Sequence, residues 1–183
     1  MTLSVAEEEE LAEALRHGSA RERARAFDAL FDGLHDRLFA VCRNLTRSSA
    51  EAEDAVQEAF LAIHQAIGSF RGESRLSTWA YRIAIHAAMR VRARARRRPG
   101  DPLDDDAPIP SGSPGPDAIA AARQEARRVQ LALDRMSDDH RMVLSLFAVD
   151  GLTHDEIAGV LGIPTGTVWS RLHGARKQLA AML

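Results

Sequence analysis

The sequence predicts an all-α protein of two small helical domains joined by a flexible Pro/Asp-rich linker. Three observations lead to this fold class. Apolar residues recur at helical spacing along most of the chain, an alternating β pattern is almost absent, and a proline-rich stretch interrupts the periodicity. That stretch, residues 99–116, holds six of the seven prolines. Because proline and glycine break helices, we assign residues 99–117 to the linker, residues 1–98 to the first domain and residues 118–183 to the second.

The composition is that of an ordinary globular protein, and it excludes several classes of site. The hydrophobic fraction is 45%, the charged fraction is 27%, and 183 residues suffice for two modest cores. The only cysteine, Cys42, excludes an intrachain disulfide and zinc sites built from cysteine pairs, and its apolar surroundings predict a buried thiol. No apolar run approaches the ~20 residues that cross a bilayer, and the acidic residues 7–10 do not fit a secretory signal. We therefore expect a cytoplasmic protein without membrane insertion.

The net charge of −2 conceals an uneven distribution of charge. Residues 74–98 contain no Asp or Glu, whereas residues 7–10 and 104–106 are acidic clusters. Residues 90–98, RVRARARRR, hold six arginines in nine positions. Such a tract is either a solvated helix end, which the helix dipole favours, or a contact to a polyanion whose strength falls with salt. We favour contact with the backbone of duplex DNA.

Three helices are predicted in the first domain. Apolar residues at helical spacing mark one helix over residues 27–41 and a second over residues 56–67, which ends at Gly68. The third follows a glycine-containing loop, with an apolar stripe over residues 76–87 and Ser77 as a plausible N-cap. The apolar faces of these helices are expected to form the core of this domain.

Four helices are predicted in the second domain. One ends before Met136, another covers residues 138–149, and two short helices form a hairpin over residues 151–179. Thr153 and Glu156 have the spacing of a capping box, so the first helix of the hairpin should begin there.

The two helices of the hairpin meet at a tight turn, which Gly162 supplies, and Thr165 is suited to cap the second helix. The outer face of that second helix presents small, polar and basic groups: Gly166, Ser170, His173, Gly174 and Lys177, flanked by Trp169 and Arg171. Such groups suit entry into the major groove of DNA, although a plain hairpin with a solvated face shows the same periodicity.

The hairpin resembles the promoter-reading helix-turn-helix of bacterial RNA polymerase sigma factors. Residues 152–179, LTHDEIAGVLGIPTGTVWSRLHGARKQL, follow that family's pattern, and the Gly-Thr-Val and Ser-Arg-Leu triplets favour it over the related hairpin of response regulators. The preceding MSDDHRMVLSLF is similar to the family's lead-in, with Met136 and Ser137 in place of Leu-Pro. The second domain is thus expected to contain a helix-turn-helix that reads the minus-35 promoter element.

The first half carries two further motifs in the order that the resemblance requires. Residues 54–60, DAVQEAF, resemble the family signature Asp-x-x-Gln-Glu-x-Phe, and residues 70–84 resemble its melting segment. Two domains with only a linker between them match the compact extracytoplasmic-function (ECF) group. The resemblance covers about residues 20–98 and 118–183, and it implies a subunit that binds core RNA polymerase and directs promoter-specific initiation of transcription.

The resemblance assigns a surface to each partner. The surface for the clamp helices of the largest polymerase subunit lies on the helix side away from the deepest core stripe and comprises Asp54, Gln57, Glu58 and Leu61. The minus-35 contacts, on the second hairpin helix, are Thr165, Gly166, Thr167, Trp169, Ser170, Arg171, His173, Arg176 and Lys177. The family commonly has basic residues at the positions of Trp169 and Gly174, so two DNA contacts differ here.

The resemblance also implies that a loop accepts a flipped base of the minus-10 element and that the next helix reads its neighbours. The residues so assigned are Gly72, Glu73, Ser74, Arg75, Ser77, Tyr81, Arg82, His86 and Arg90. Aromatic faces stack on unpaired bases for about 1–3 kcal/mol each, so bound bases can hold strands apart without fuel. Trp79 lies on the apolar stripe and is expected in the core, which leaves Tyr81 and Arg82 as the better DNA contacts. His86 stands where the family often has Asn.

Two other functions are compatible with parts of the pattern. A stand-alone regulator could bind duplex DNA through the hairpin, but it would leave the DAVQEAF and melting motifs without a role. An adaptor that binds only proteins would leave the arginine tract unexplained. No catalytic set, phosphate-binding glycine loop or metal-ligand spacing occurs, so we expect no enzyme activity, no cofactor and no metal. The expected partners are core RNA polymerase and promoter DNA, both duplex and melted, with an anti-sigma factor as a further candidate.

Overall fold

The computed structural model of the protein describes residues 3–96 and 116–183, and within these ranges it contains eight α-helices and no strand. The helices are α1 (Val5–His17), α2 (Ala20–Thr46), α3 (Ser49–Ala66), α4 (Leu76–Ala95), α5 (Pro116–Arg135), α6 (Asp138–Asp150), α7 (His154–Leu161) and α8 (Thr165–Met182). A 3₁₀ turn, Ile67–Ser69, follows α3. The all-α class is confirmed. The linker assigned to 99–117 lies outside the described residues, except for its last two residues, which begin α5.

Capping boxes begin the first two helices. Ser4 N donates to Glu7 Oε2 at 2.7 Å, and Glu7 N donates to Ser4 Oγ at 3.3 Å. Ser19 and Glu22 make the same reciprocal pair at the start of α2. These bonds satisfy N–H groups that the first helical turn leaves without a partner. We did not predict α1, and the Ser-x-x-Glu spacing at its start is the signal that identifies it.

The core of the first domain lies between α2, α3 and α4. Leu30 and Leu38 of α2, Ile63 of α3 and Ala84 of α4 are fully buried, and α1 adds the buried Leu15. Burial of each Leu or Ile side chain contributes about 1.5–3 kcal/mol. This packing fixes which sides of α3 and α4 face outward.

The predicted boundaries of α3 and α4 had different outcomes. Helix α3 ends at Ala66, within two residues of the predicted end at Gly68, which lies in the 3₁₀ turn that follows. Ser77 is not the N-cap of α4, because the helix begins at Leu76 and Ser77 lies in its first turn. The backbone N–H of Ser77 instead donates to a carboxylate oxygen of Glu8 on α1, at 3.0 Å. An acceptor from another helix therefore replaces the local cap.

The hairpin of the second domain is formed by α7 and α8. The capping box is confirmed: Thr153 N donates to Glu156 Oε2 at 2.9 Å, and Glu156 N donates to Thr153 Oγ1 at 3.2 Å. Gly162 supplies the predicted turn with a φ of 65°, in the left-handed region that favours glycine. The prediction that Thr165 caps α8 was wrong, because Thr165 is already helical and Pro164 precedes it as the N-cap residue.

The two domains share a large hydrophobic cluster in this structure, and a smaller one of Met136, Leu144 and Ala175 lies within the second domain. Helix α6 packs against α2, and α7 packs against α4. Met142, Val143 and Leu146 of α6 are buried and belong to the same apolar cluster as the core of the first domain. None of the helices in the described ranges is long and apolar enough to cross a membrane.

Asp138, at the start of α6, adds ion pairs to the contact between the domains. Its carboxylate lies 2.7 Å from Arg92 Nη1, 3.8 Å from Arg96 and 3.9 Å from Arg47, all in the first domain. Burial raises the pKa of this carboxyl group, but the hydrogen bond from Arg92 and the charges of Arg92, Arg141 and Arg47 outweigh burial and leave the pKa below its usual value. The contact between the domains is therefore both apolar and electrostatic.

Cys42 is fully buried, as predicted. Its thiol lies 3.8 Å from the carbonyl oxygen of Ala84 across the α2–α4 interface, and burial raises its pKa to about 12. Because the thiolate is the reactive form, we expect no reaction with a disulfide reagent such as DTNB in the native protein near pH ~8, and complete reaction in denaturant. Native labelling as fast as labelling of the unfolded chain would contradict this packing.

Candidate nucleic-acid interface

The loop between α3 and α4, residues 70–75, is held at both ends by buried apolar residues. Phe70 is 6% exposed and Leu76, which follows the loop, is 2% exposed. Gly72, Glu73 and Ser74 between them are exposed. Gly72 has a φ of 75°, a conformation that favours glycine. The loop thus presents a short exposed segment between fixed ends.

Glu8 of α1 holds the junction between this loop and α4. Arg75 Nη2 donates to Glu8 Oε1 at 2.5 Å, and Ser77 Oγ donates to the same oxygen at 2.8 Å. Glu8 is 3% exposed and Ser77 is 8% exposed. Ser77 therefore does not face solvent as a DNA contact would, because its hydroxyl and its N–H are both bound to Glu8. Arg75 is half-exposed and is paired within the protein.

Trp79 and Tyr81 of the melting segment both pack within the protein, and only Tyr81 departs from the prediction. Trp79 is partly buried and packs against Phe70, with ring centroids 5.3 Å apart. Tyr81 is 1% exposed, so the prediction that Tyr81 faces DNA better than Trp79 was wrong. The buried side of α4 is wider than the apolar stripe indicated and includes Ser77, Tyr81, Ala84 and Ala88.

Helix α7 lies against the exposed side of α4. The guanidinium of Arg82 donates to the carbonyl oxygen of Gly159, and Arg75 Nη1 lies 3.9 Å from Glu156 Oε1. Arg82 and His86 are otherwise exposed on α4. Part of the proposed minus-10 surface is thus covered by the second domain in this arrangement.

The arginine tract at the end of α4 is paired with two carboxylates. Arg90 Nη2 lies 3.8 Å from Glu58 Oε2, and Arg94 donates to the same carboxylate. Arg92, on the other side of the helix, pairs with Asp138. The last two arginines of the tract lie outside the described residues.

The exposed side of α3 carries the residues assigned to polymerase binding. Asp54, Gln57 and Leu61 are exposed, and Leu61 is 64% exposed, which is unusual for a large apolar side chain. The side chain of Glu58 is 33% exposed because it faces the arginines of α4. The exposed surface therefore combines a carboxylate, an amide and an apolar residue.

Most of the residues assigned to minus-35 recognition lie on the outer side of α8. The exposed members are Gly166, Trp169, Ser170, His173, Arg176 and Lys177. Three others are partly buried. Thr165 Oγ1 donates to Asp155 Oδ1 at 2.9 Å, Thr167 accepts from Ser170 Oγ through its carbonyl oxygen, and Arg171 Nη2 lies 2.7 Å from Asp139 Oδ2.

Trp169, one of the two positions in the hairpin where the family commonly has a basic residue, belongs to a stack of side chains. Its ring lies parallel to that of His154, with centroids 4.0 Å apart and an angle of 3° between the planes. The ring of His154 in turn packs against the ring of Phe147, with centroids 5.6 Å apart. The guanidinium of Arg176 lies 4.7 Å from the centre of the Phe147 ring. Trp169 remains 59% exposed, so this position presents a flat aromatic surface in place of a cation.

Gly174, the second of these positions, is explained by a histidine from α6. A Cβ atom at this position would lie 2.9 Å from His140 Nε2. This distance is shorter than a normal van der Waals contact, so the imidazole would have to shift to admit a side chain. The other ring nitrogen, Nδ1, lies 3.0 Å from Gln178 Oε1 and holds the imidazole in place. The helix accepts a glycine here because the imidazole occupies the space of a side chain.

A double-mutant cycle tests this explanation. Alanine stabilises a helix interior over glycine by about 0.8–1.0 kcal/mol. We therefore expect Gly174→Ala to stabilise the His140→Ala variant by about that amount, and to have a smaller or opposite effect when His140 is present, because the ring must move. The measurement is the free energy of unfolding in urea. Equal effects in both backgrounds would contradict the proposed contact.

Two residues of this surface were missed at the level of sequence. Glu8 is one of the acidic residues 7–10, to which the sequence assigned no partner, and His154 received no role. The Ser4-x-x-Glu7 spacing predicts a helix on which position 8 shares a face with the apolar Ala12 and Leu15, whereas no local signal places His154 against Trp169. Within the described residues, no cluster of three or more His, Cys, Asp or Glu could hold a metal ion.

The sequence matches two families of known proteins. Sigma-70 region 2 matches residues 30–98, and Sigma-70, region 4 matches residues 126–179. The chain is 35% identical to the ECF RNA polymerase sigma factor SigM of Mycobacterium tuberculosis over 158 residues, which cover 86% of this chain and 77% of that protein. It is 34% identical to the ECF RNA polymerase sigma-E factor of Escherichia coli over 139 residues, which cover 72% and 73% of the two chains.

A solved structure has a similar fold over almost the whole chain. CnrH, in its complex with the cytosolic domain of CnrY, superimposes with a TM-score of 0.72 and 25% sequence identity, over 96% of each chain. The similarity therefore includes both helical domains.

Proposed function

Because this chain belongs to the ECF group of RNA polymerase sigma factors, we propose that it binds core RNA polymerase and directs promoter-specific initiation of transcription. The first domain, residues 1–98, binds the polymerase and opens the minus-10 element. The second domain, residues 118–183, reads the minus-35 element as duplex, and residues 99–117 connect the two. Sigma factors are in general not enzymes, and in this proposal the polymerase performs the chemistry in the cytoplasm.

One observation carries the proposal furthest. The same chain presents an exposed loop before α4, suited to an unpaired base, and a helix α8 whose outer side is exposed and includes Arg176 and Lys177. A protein that only binds duplex DNA needs the second feature and not the first. A protein-binding adaptor needs neither.

Because Tyr81 is buried, it is not available to stack on an unpaired base, and other groups must support strand opening. The exposed loop residues Gly72, Glu73 and Ser74 remain available to a base, with the partly exposed Trp79 and the exposed Arg82 on the following helix α4. Extrusion of one base costs a few kcal/mol, and a fitted cavity together with phosphate contacts from arginine offsets a cost of that size. Strand separation then results from binding energy alone.

The proposed partners follow from the exposed surfaces. Asp54, Gln57 and Leu61 form the part of α3 that is free to contact the clamp helices of the largest polymerase subunit. An anti-sigma factor is a further candidate partner, since the similar CnrH chain was solved in complex with the cytosolic domain of CnrY. Such a partner would have to cover either α3 or the DNA-facing residues to prevent initiation.

Reconstituted transcription tests the proposal. The purified chain is mixed with core RNA polymerase and a library of random promoter sequences, and run-off transcripts are sequenced. We expect transcripts from templates that share two short elements, and none when the chain or residues 1–98 are omitted. Specific binding to duplex DNA without any polymerase-dependent transcript would instead support a stand-alone regulator.

A further inference from the structure

Helix α1 lies outside both matched regions, residues 30–98 and 126–179, yet it forms one wall of a cavity beside the α3–α4 loop. The cavity has a volume of about 410 Å³. Glu8 and Ala12 line it from α1, and Phe70, Gly72 and Ser74 line it from the loop. The segment proposed to accept a base therefore faces a helix to which the resemblance gives no role.

Glu8 joins the two walls of this cavity. Its carboxylate accepts hydrogen bonds from Arg75 Nη2 at 2.5 Å, from Ser77 N at 3.0 Å, and from Ser77 Oγ at 2.8 Å and 3.0 Å to its two oxygens. A buried carboxylate is costly unless such donors surround it, so Glu8 and its donors hold one another in a single arrangement. Arg75 is the last residue of the loop and Ser77 lies in the first turn of α4.

The position of α1 is itself fixed by packing. Leu15 and Ala12 are buried, and Leu3 fits against Gly33 of α2, where a Cβ atom would lie 2.9 Å from the Leu3 side chain. Arg75 Nη2 also lies 3.4 Å from the carbonyl oxygen of Leu3. These contacts hold α1 in place, and with it the carboxylate of Glu8.

We infer that Glu8 is a positioning residue for promoter opening, an inference that rests on the function proposed above. Its carboxylate fixes Arg75 and Ser77, and thereby sets the shape in which Gly72 and Ser74 face the cavity and receive the base. Glu8 is buried and its carboxylate is occupied by Arg75 and Ser77, so it acts through these two residues. Helix α1 is therefore part of the promoter-opening machinery.

The test uses holoenzyme, a promoter selected by the wild-type chain, and a series of templates with one abasic site at each position of the opened element. The measured quantity is the fraction of heparin-resistant open complex. For the wild type we expect one position at which loss of the base lowers this fraction by about tenfold or more. Glu8→Gln keeps the size of the side chain but removes its charge, and we expect it to reduce that sensitivity to about twofold while sensitivity at the other positions and at the minus-35 element is unchanged.

Controls separate positioning from folding and from failure of the proposed function. Glu10→Gln changes an exposed carboxylate on the same helix and should give the wild-type profile. Glu8→Asp keeps the charge but withdraws it from its donors, and should behave as Glu8→Gln does. An unchanged profile for both Glu8 variants would overturn the inference, and so would a uniform loss at every position or a loss of helicity in both. If the wild-type holoenzyme opened no promoter, the proposed function itself would fail.

Discussion

Replacing Arg141 with methionine should lower the free energy of unfolding by about 3–5 kcal/mol. Arg141 is fully buried, and its guanidinium donates to the carbonyl oxygens of Leu133 and Met136 at 2.7 Å each and of Asn44 at 3.2 Å. Burial lowers its pKa to about 10, which still leaves the group charged near neutral pH. Methionine fills much of the space but removes all three guanidinium bonds, and of these acceptors the carbonyl oxygen of Leu133 keeps a bond from Met136 N at 3.1 Å. Urea unfolding followed by circular dichroism measures the change.

A matched arginine provides the control for this variant. Arg135→Met, at the exposed end of α5, should change the free energy of unfolding by less than about 0.5 kcal/mol. A loss below about 1 kcal/mol in Arg141→Met would show that the buried guanidinium contributes little. Arg141 is the arginine of the family lead-in, so this result would also decide whether that motif position is structural.

Replacing Leu61 with aspartate should weaken binding to core RNA polymerase by about 30- to 1000-fold, which corresponds to the 2–4 kcal/mol of an interface hot spot. Leu61 is 64% exposed, one helical turn beyond Gln57 on the open side of α3, so the change should leave the fold intact. A carboxylate buried in an apolar contact without a partner accounts for the expected loss. Fluorescence anisotropy of the labelled chain, titrated with core polymerase, measures the affinity.

The control is a second exposed leucine on another helix. Leu131 on α5 is 52% exposed and lies outside the proposed polymerase surface, so Leu131→Asp should bind core polymerase as the wild type does. Equal affinities for the Leu61 variant and the wild type would remove α3 from the interface. Equal losses in the two variants would indicate a general effect of added charge.

Helical periodicity predicted the elements whose apolar faces were regular, and the same local reasoning misjudged residues whose partners are distant in sequence. The stripe on α3 correctly predicted burial of Val56, Phe60 and Ile63. Tyr81 was misjudged because a tyrosine beside arginines in an acid-free segment suggests an exposed contact, whereas the buried side of α4 is wide enough to enclose it. Burial depends on how many helices surround an element, and one sequence does not give that number.

The contacts of Ser77 and Gly174 show the same limit. Ser77 has the residue type of a local cap, but the acceptor for its N–H comes from Glu8, which lies 69 positions earlier in the chain. In the sequence, glycine at position 174 indicates a lost DNA contact. In the structure, the imidazole of His140 occupies the space that a side chain at this position would need. In both cases the physical reason lies in a second helix. The local sequence pattern therefore predicted which surface is involved, but not which residue each side chain contacts.

The pairing of arginines with carboxylates across the two domains has a consequence for how DNA binding responds to ionic strength. Arg92 is already paired with Asp138, and Arg75 with Glu156, in the free chain. A phosphate that reaches such a guanidinium displaces an internal anion and not a mobile one, so fewer small ions are released than the number of arginine contacts suggests. The logarithm of the affinity should then fall with the logarithm of salt concentration less steeply than a count of basic residues at the interface would give.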